Sequence, residues 1–404
     1  MSLEEMKTAL EEQQPATLVA LAERHLERDP GCASTLFKYA DVLFDLGRHE
    51  EAFDLRIRML DWFPRIRWVF CSELGGMERR RGAFKDAENW YCSVISERPD
   101  TADSYVLRGA LLARRGELAE AEETHRLGTL CSSGCVDESY HNLGLVLRGQ
   151  NRLEEAAECF RTAIEMDPDY ECAIEALTDV ETGIRLQRDG YEAPDSLPEK
   201  ALPNELFVPK EIREAKRNSQ AATVLALSDG WLQKHPDLKS VAFARAEMTY
   251  LLTQYDRAKV IYEGLLSGCP DDDWGVLNQL CKLSSYRGRL VEGKRYAREA
   301  IDLDPEEWAS YDLLGVLHER EGRFDLAAEL YCSAKERVDP EYNADLIEHR
   351  LGCSLRGLGK LAEARQCFER AVSLSPGWVL PRKDLRDVEQ AIAIRGRTDE
   401  TTHS

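Results

Sequence analysis

No stretch of the 404-residue sequence approaches the ~18 consecutive apolar residues of a membrane-spanning helix. The opening, MSLEEMKTALEEQQ, lacks the basic start and apolar run of a secretory signal. These two absences lead us to expect a soluble, cytoplasmic protein. There is no Gly-rich phosphate loop, no nucleophile elbow and no two-histidine helical zinc motif. The eight histidines are scattered. We therefore expect no enzymatic activity and no cofactor. Positive charge is scarce, with 53 Lys and Arg against 74 Asp and Glu, a net charge of −21. A surface this acidic repels polyanions, so neither nucleic acid nor an anionic membrane is an expected partner.

Cysteine is not scarce. Most of the twelve sit inside amphipathic patterns such as WYCSV, ECF, QCF and LYCSA. In a cytosolic helical protein such cysteines act as small apolar residues. Cys131 and Cys135, in CSSGC, are the one close pair, and a single pair supplies half a zinc site at most. His125 and His141 are the nearest histidines, but a helix–turn connection is the simpler account. No metal site is expected.

A recurrent skeleton runs through the chain. Leu143-Gly144 is followed by Ala156, Phe160, Ala163 and Pro168. Leu351-Gly352 is followed by Ala364, Phe368, Ala371 and Pro376. Related blocks occur at Leu74-Gly75, Gly109, Ala258, Ala300 and Leu314-Gly315. Pro64 to Pro99 and Pro270 to Pro305 are each 35 residues. The pattern resembles the tetratricopeptide repeat, a 34-residue pair of antiparallel helices. Departures exist: His125 stands where an aromatic is expected, and Ser133 where a proline is. The resemblance implies an all-α fold, a solenoid of stacked helix pairs. The packing logic agrees with it. Gly144, Ala156 and Ala163 remove bulk where two helices touch, Phe160 fills the space beside them, and Pro168 stops the second helix. One pair buries too little apolar surface to stand alone, so neighbours must stack.

A longer repeat overlies the short one. Thr17 matches Thr223, Ala40 matches Ala246 and Trp68 matches Trp274, all at an offset of 206. Further on the offset is 208, pairing His141 with His349, Arg148 with Arg356, and the Asp-Val-Glu of 179–181 with that of 387–389. We infer an internal duplication giving two tandem superhelical lobes. The expected divisions are an N-terminal lobe at 1–188, a Pro-rich linker at 189–210, a C-terminal lobe at 211–397 and a disordered tail at 398–404. Helices at 171–188 and 379–396 are expected as polar end-caps that close each array.

By the resemblance, the first helix of each pair lines a concave groove that receives a peptide or a partner helix. The register places Phe37, Lys38, Arg79, Arg80, Arg114, His141, Asn142 and Arg148 there in the first lobe. In the second it places Tyr250, Asn278, Lys282, Arg320, His349, Arg350 and Arg356. Arginine is frequent among them despite the net charge of −21. A basic groove inside an acidic shell would select an acidic segment through charge-assisted hydrogen bonds. The simpler account is that these arginines pair with carboxylates on adjacent helices. The leading expectation is a non-enzymatic scaffold or adaptor with a protein or peptide partner of acidic character. The alternatives are a chaperone-like holder of an apolar client segment and an accessory subunit of an enzyme complex.

Overall fold

The computed structural model describes residues 3–29, 32–197, 207–267, 270–339 and 342–402. Among these residues there is no strand, only one isolated bridge between Thr101 and Ser133. The first helices are α1 (Leu3–Glu11), α2 (Pro15–Leu26), α3 (Ala33–Asp45), α4 (His49–Trp62), α5 (Arg67–Arg81), α6 (Phe84–Glu97) and α7 (Ala102–Arg115). Next come α8 (Leu118–Thr129), α9 (Val136–Gly149), α10 (Leu153–Met166), α11 (Glu171–Asp189), α12 (Lys210–Arg217), α13 (Ala221–Lys234), α14 (Lys239–Leu251) and α15 (Tyr255–Leu265). The remainder are α16 (Pro270–Tyr286), α17 (Leu290–Leu303), α18 (Trp308–Arg320), α19 (Phe324–Arg337), α20 (Ala344–Gly357), α21 (Leu361–Leu374) and α22 (Val379–Thr402). This is the all-α tetratricopeptide-type architecture that the repeat skeleton implies.

The skeleton works through one recurrent contact. A glycine in the first helix of a pair faces an aromatic side chain sixteen residues later in the second. A Cβ built on Gly144 would lie 2.6 Å from the Phe160 ring. The same distance, 2.6 Å, separates a Cβ on Gly315 from Tyr331 and one on Gly352 from Phe368. Phe160, Tyr331 and Phe368 are all completely buried. The aromatic thus fills the volume that the missing side chain leaves, and the two helices close to contact.

Two compact units form, and they cut across the halves of the sequence repeat. One joins Met1–Arg81 to Leu290–Ser404; the other is the continuous segment Gly82–Arg289. In the first unit both ends of the chain share a core, and Ala16 of α2 packs with Phe368, Val388 and Ala391. Turns in this unit also interlock. Gly47, at φ +78°, lies so close to the Phe324 ring that no other residue fits. In the second unit Ala222 of α13 packs with Phe160, Ala176 and Val180.

Two expectations are corrected here. The helices α11 and α22 are not polar end-caps, since each covers its array with one face and packs on a further helix, α13 or α2, with another. The disordered tail does not begin at residue 398, because α22 continues to Thr402; residues 403 and 404 lie outside the described residues. Of the linker, 198–206 also lie outside them. Its first part docks on α13: the Trp231 indole N–H donates to the Tyr191 hydroxyl at 3.0 Å, and Ala193 is buried.

We expect Gly144→Leu to lower stability by ~1–3 kcal/mol, the usual cost of overpacking a filled contact. Glu154→Leu, on the exposed face of α10, should change it little. Urea midpoints followed by circular dichroism check the difference, and equal shifts would mean that the contact does not carry the packing.

Candidate functional site

The first four N–H groups of any helix have no partner within it. At α13, Gln220 stands at the N-cap and makes no capping bond. The carboxylate of Asp179, from α11, supplies the cap instead. Its oxygens accept from the Ala222 and Thr223 amides at 3.0 Å each, and from the Thr223 hydroxyl at 2.9 Å. The other unit repeats this device at the chain's ends. Gln14 makes no capping bond for α2. Asp387 of α22 accepts from the Ala16 amide at 3.0 Å and the Thr17 amide at 2.8 Å. Asp179 and Asp387 are both buried.

A buried carboxylate needs a compensating charge, and the arginines of the expected groove provide it. Arg148 donates to Asp179 at 3.1 Å. Arg356 donates to Asp384 at 2.6 Å and to Asp387 at 3.3 Å. Both guanidiniums are largely buried. Arg148 and Arg356 are therefore withdrawn from the expected ligand set, since their charge is spent on joining helices. Arg350 likewise pairs with Asp312 at 3.0 Å.

The two matched histidines have diverged. His141 meets the Tyr170 hydroxyl at 3.2 Å. Burial, reinforced by the Arg148 charge, pushes its pKa down to about 4, so it is neutral. His349 meets the Asp384 carboxylate at 2.7 Å. Burial opposes its charge, but hydrogen bonds with Asp384 and Cys353 outweigh burial and push its pKa up to about 9.

Most of the remaining candidates lie around two cavities or in aromatic packing. In the unit that holds both chain ends, Arg80 and Arg320 line a cavity of about 310 Å³ with Arg81, Arg356, Phe44 and Phe324. Asp45 and Glu319 are also in its wall. Arg80 pairs with Asp45 at 2.6 Å and lies over the Phe44 ring. Arg320 donates to the Arg80 carbonyl at 3.3 Å. In the Gly82–Arg289 unit, Tyr250 and Lys282 line a cavity of about 230 Å³ with Met248, Tyr262, Gln279 and Leu283. Arg114 lies over the Tyr286 ring at 4.6 Å, and Asn278 is buried. Phe37 packs on Phe70. Lys38, Arg79 and Asn142 are half-buried and line neither cavity.

Family models of the tetratricopeptide repeat match residues 102–124, 138–170, 285–341 and 347–378. The chain is a tetratricopeptide repeat protein. Human tetratricopeptide repeat protein 7B is 27% identical over 128 residues, which are 32% of this chain and 15% of that protein. The chain thus matches a small part of that relative's length. Among solved structures it is similar to a tetratricopeptide repeat protein from Parabacteroides merdae, at 15% identity and TM-score 0.35, over 71% of this chain and 98% of the other. It is similar also to yeast Tom70, at 15% identity and TM-score 0.36, over 90% and 92% of the two chains. A third is the hetero-tetramer Cut9–Hcn1 of the APC/C, at 13% identity and TM-score 0.32, over 94% and 82%.

The repeat register explains a residue that the sequence reading missed. Counting from Ala52 as from Ala156, Arg56 falls where Phe160 falls, in the aromatic position. It is completely buried there, held by Asp41 at 2.5 Å and Glu73 at 2.8 Å, with its guanidinium over Phe37. The same register accounts for His125, which fills the aromatic position against Gly109 and is neutral because burial pushes its pKa down to about 4. Cys131 and Cys135 do not form a thiolate pair in this repeat protein. Cys135 donates to Asp103 at 3.1 Å, which pushes its pKa up to about 12, and burial raises that of Cys131.

Two outcomes follow for the repeat protein's stability. Asp179→Ala removes the α13 cap and strands the Arg148 charge, which should cost about 3–5 kcal/mol. Asp387→Ala removes the α2 cap but leaves Arg356 with Asp384, so it should cost less, nearer the ~0.5–2 kcal/mol of a lost cap. Denaturant titration ranks the two, and the reverse order would refute the pairing. For His349 the folded pKa lies above the ordinary 6.5, so its contribution is complete below pH 6.5 and is lost as pH rises through 9. Wild type should lose stability relative to His349→Gln across that window, measured as the difference in Tm at each pH. Parallel curves would exclude the charged histidine.

Proposed function

We propose that the protein is a non-enzymatic scaffold or adaptor that grips an acidic segment of a partner protein. The observation that carries this reading is the 310 Å³ cavity, whose wall gathers Arg80 and Arg81 from the end of α5 and Arg320 from the end of α18, beside Arg356, which Asp384 and Asp387 hold. In a chain of net charge −21, that concentration of guanidinium is local. Guanidinium forks match carboxylates, and the Phe44 and Phe324 rings offer an apolar side chain something to pack on. The same net charge disfavours nucleic acid and anionic membranes as partners. Consistently, no described helix is long and apolar enough to cross a membrane.

A second reading is favoured by the other cavity. Met248, Tyr250, Tyr262 and Leu283 make the 230 Å³ space mainly apolar, with Lys282 and Gln279 at its side. This suits the holding of an apolar client segment. Salt separates the two readings, because exposed charge pairs are screened and apolar contact is not.

Selection from a displayed peptide library should enrich Asp- and Glu-rich segments. Their affinity should fall steeply between 50 mM and 500 mM salt, and by at least about tenfold in Arg80→Ala/Arg320→Ala, allowing for the partial exposure of both side chains. Enrichment of apolar peptides indifferent to salt, and to that double variant, would transfer the function to the second cavity.

A further inference from the structure

The turn between α2 and α3 brings three metal-ligand types together. His25 lies in the last turn of α2, Asp29 four residues on, and Cys32 at the N-cap of α3. One donor atom from each lies within 4.8 Å of the other two. The backbone sets this spacing, for the Asp29 amide donates to the His25 carbonyl at 3.0 Å and the Cys32 amide to the Asp29 carbonyl at 3.2 Å. The sulfur has its own support. The hydroxyl of Thr35, itself buried, donates to it at 3.2 Å, and the Ser34 hydroxyl lies at 3.4 Å. Hydrogen bonds with Ser34 and Thr35 pull the thiol's pKa down to about 6.

The repeat does not need this trio. At the 206 offset, Trp231, His235 and Leu238 take the places of His25, Asp29 and Cys32. There Trp231 and Leu238 are buried, and His235 packs on the indole with ring centroids 5.5 Å apart. One copy therefore closes the turn with apolar packing, while the other carries three donors at its surface. A second group of the same donor types, His349, Cys353 and Asp384, is unsuited to a cation. Arg356 already holds Asp384 at 2.6 Å, and the protonated His349 has no lone pair to give.

We propose that His25, Asp29 and Cys32 form a three-ligand site for a borderline divalent metal of the zinc type, with its fourth position open to water or to a partner's side chain. A thiolate, an imidazole and a carboxylate are the donors that such ions take in tetrahedral sites. Thr35 and Ser34 serve as the outer partners that hold the sulfur. The site is an exception to the reading of the cysteines as apolar filler. It is independent of the proposed binding of acidic segments.

The test is titration of the reduced full-length chain with Co²⁺, read by absorbance. We expect one thiolate-to-cobalt charge-transfer band with tetrahedral d–d bands, saturating at one equivalent and erased by Zn²⁺. Cys32→Ser should abolish the charge-transfer band. His25→Ala and Asp29→Ala should each weaken binding at least tenfold, while Cys353→Ser and Cys131→Ser/Cys135→Ser should not change it. Circular dichroism checks that each variant is folded, and Asp29→Asn carries the test if Cys32→Ser is not. Absence of a charge-transfer band, its survival in Cys32→Ser, or its loss in Cys353→Ser would overturn the proposal.

Discussion

Two buried carboxylates, Asp179 and Asp387, each join two helices within one compact unit. Each lies in the middle of a long helix and caps another helix far away in sequence. The arrangement answers two needs at once. The N-terminus of α13 or α2 has amides without partners, and a carboxylate there is favoured by both hydrogen bonding and the helix dipole. The carboxylate in turn is out of water, and Arg148 or Arg356 balances it.

This constraint reshapes the expected groove. First-helix positions in a tetratricopeptide array can face a ligand, and several of those here are arginines. Once α11 and α22 dock on a following helix, the nearest arginines are drawn into the junctions. The balance of burial and pairing then differs between the two sites. Arg148 meets one carboxylate and stands beside a neutral His141, whereas Arg356 meets two and stands beside a charged His349. Outside these junctions, Arg80, Arg81 and Arg320 line the cavity of one unit, and Tyr250 and Lys282 that of the other.

Glycine and aromatic positions behave differently from charged ones. Gly144 and Phe160 could be assigned to a contact from spacing alone, because a helix pair has one register in which a missing side chain meets a large one. The same rule, applied to Ala52, would have led to Arg56. Spacing alone does not mark it as a core residue, because a buried arginine contradicts ordinary burial preference, and only its partners Asp41 and Glu73 make it tolerable.

The sequence by itself determined the helical fold and the hairpin contacts, because both are written in local spacing. It also displayed Thr17 with Thr223 and Asp179 with Asp387 as matched pairs. It could not say which aspartate caps which threonine. That was decided by the tertiary structure, which joins Asp179 to Thr223, 44 residues on, and Asp387 to Thr17, 370 residues back. The choice rests on which apolar faces bury one another, a long-range packing energy that no local pattern encodes. The fate of Arg148 and Arg356 follows from it, since each guanidinium is spent on the carboxylate buried beside it.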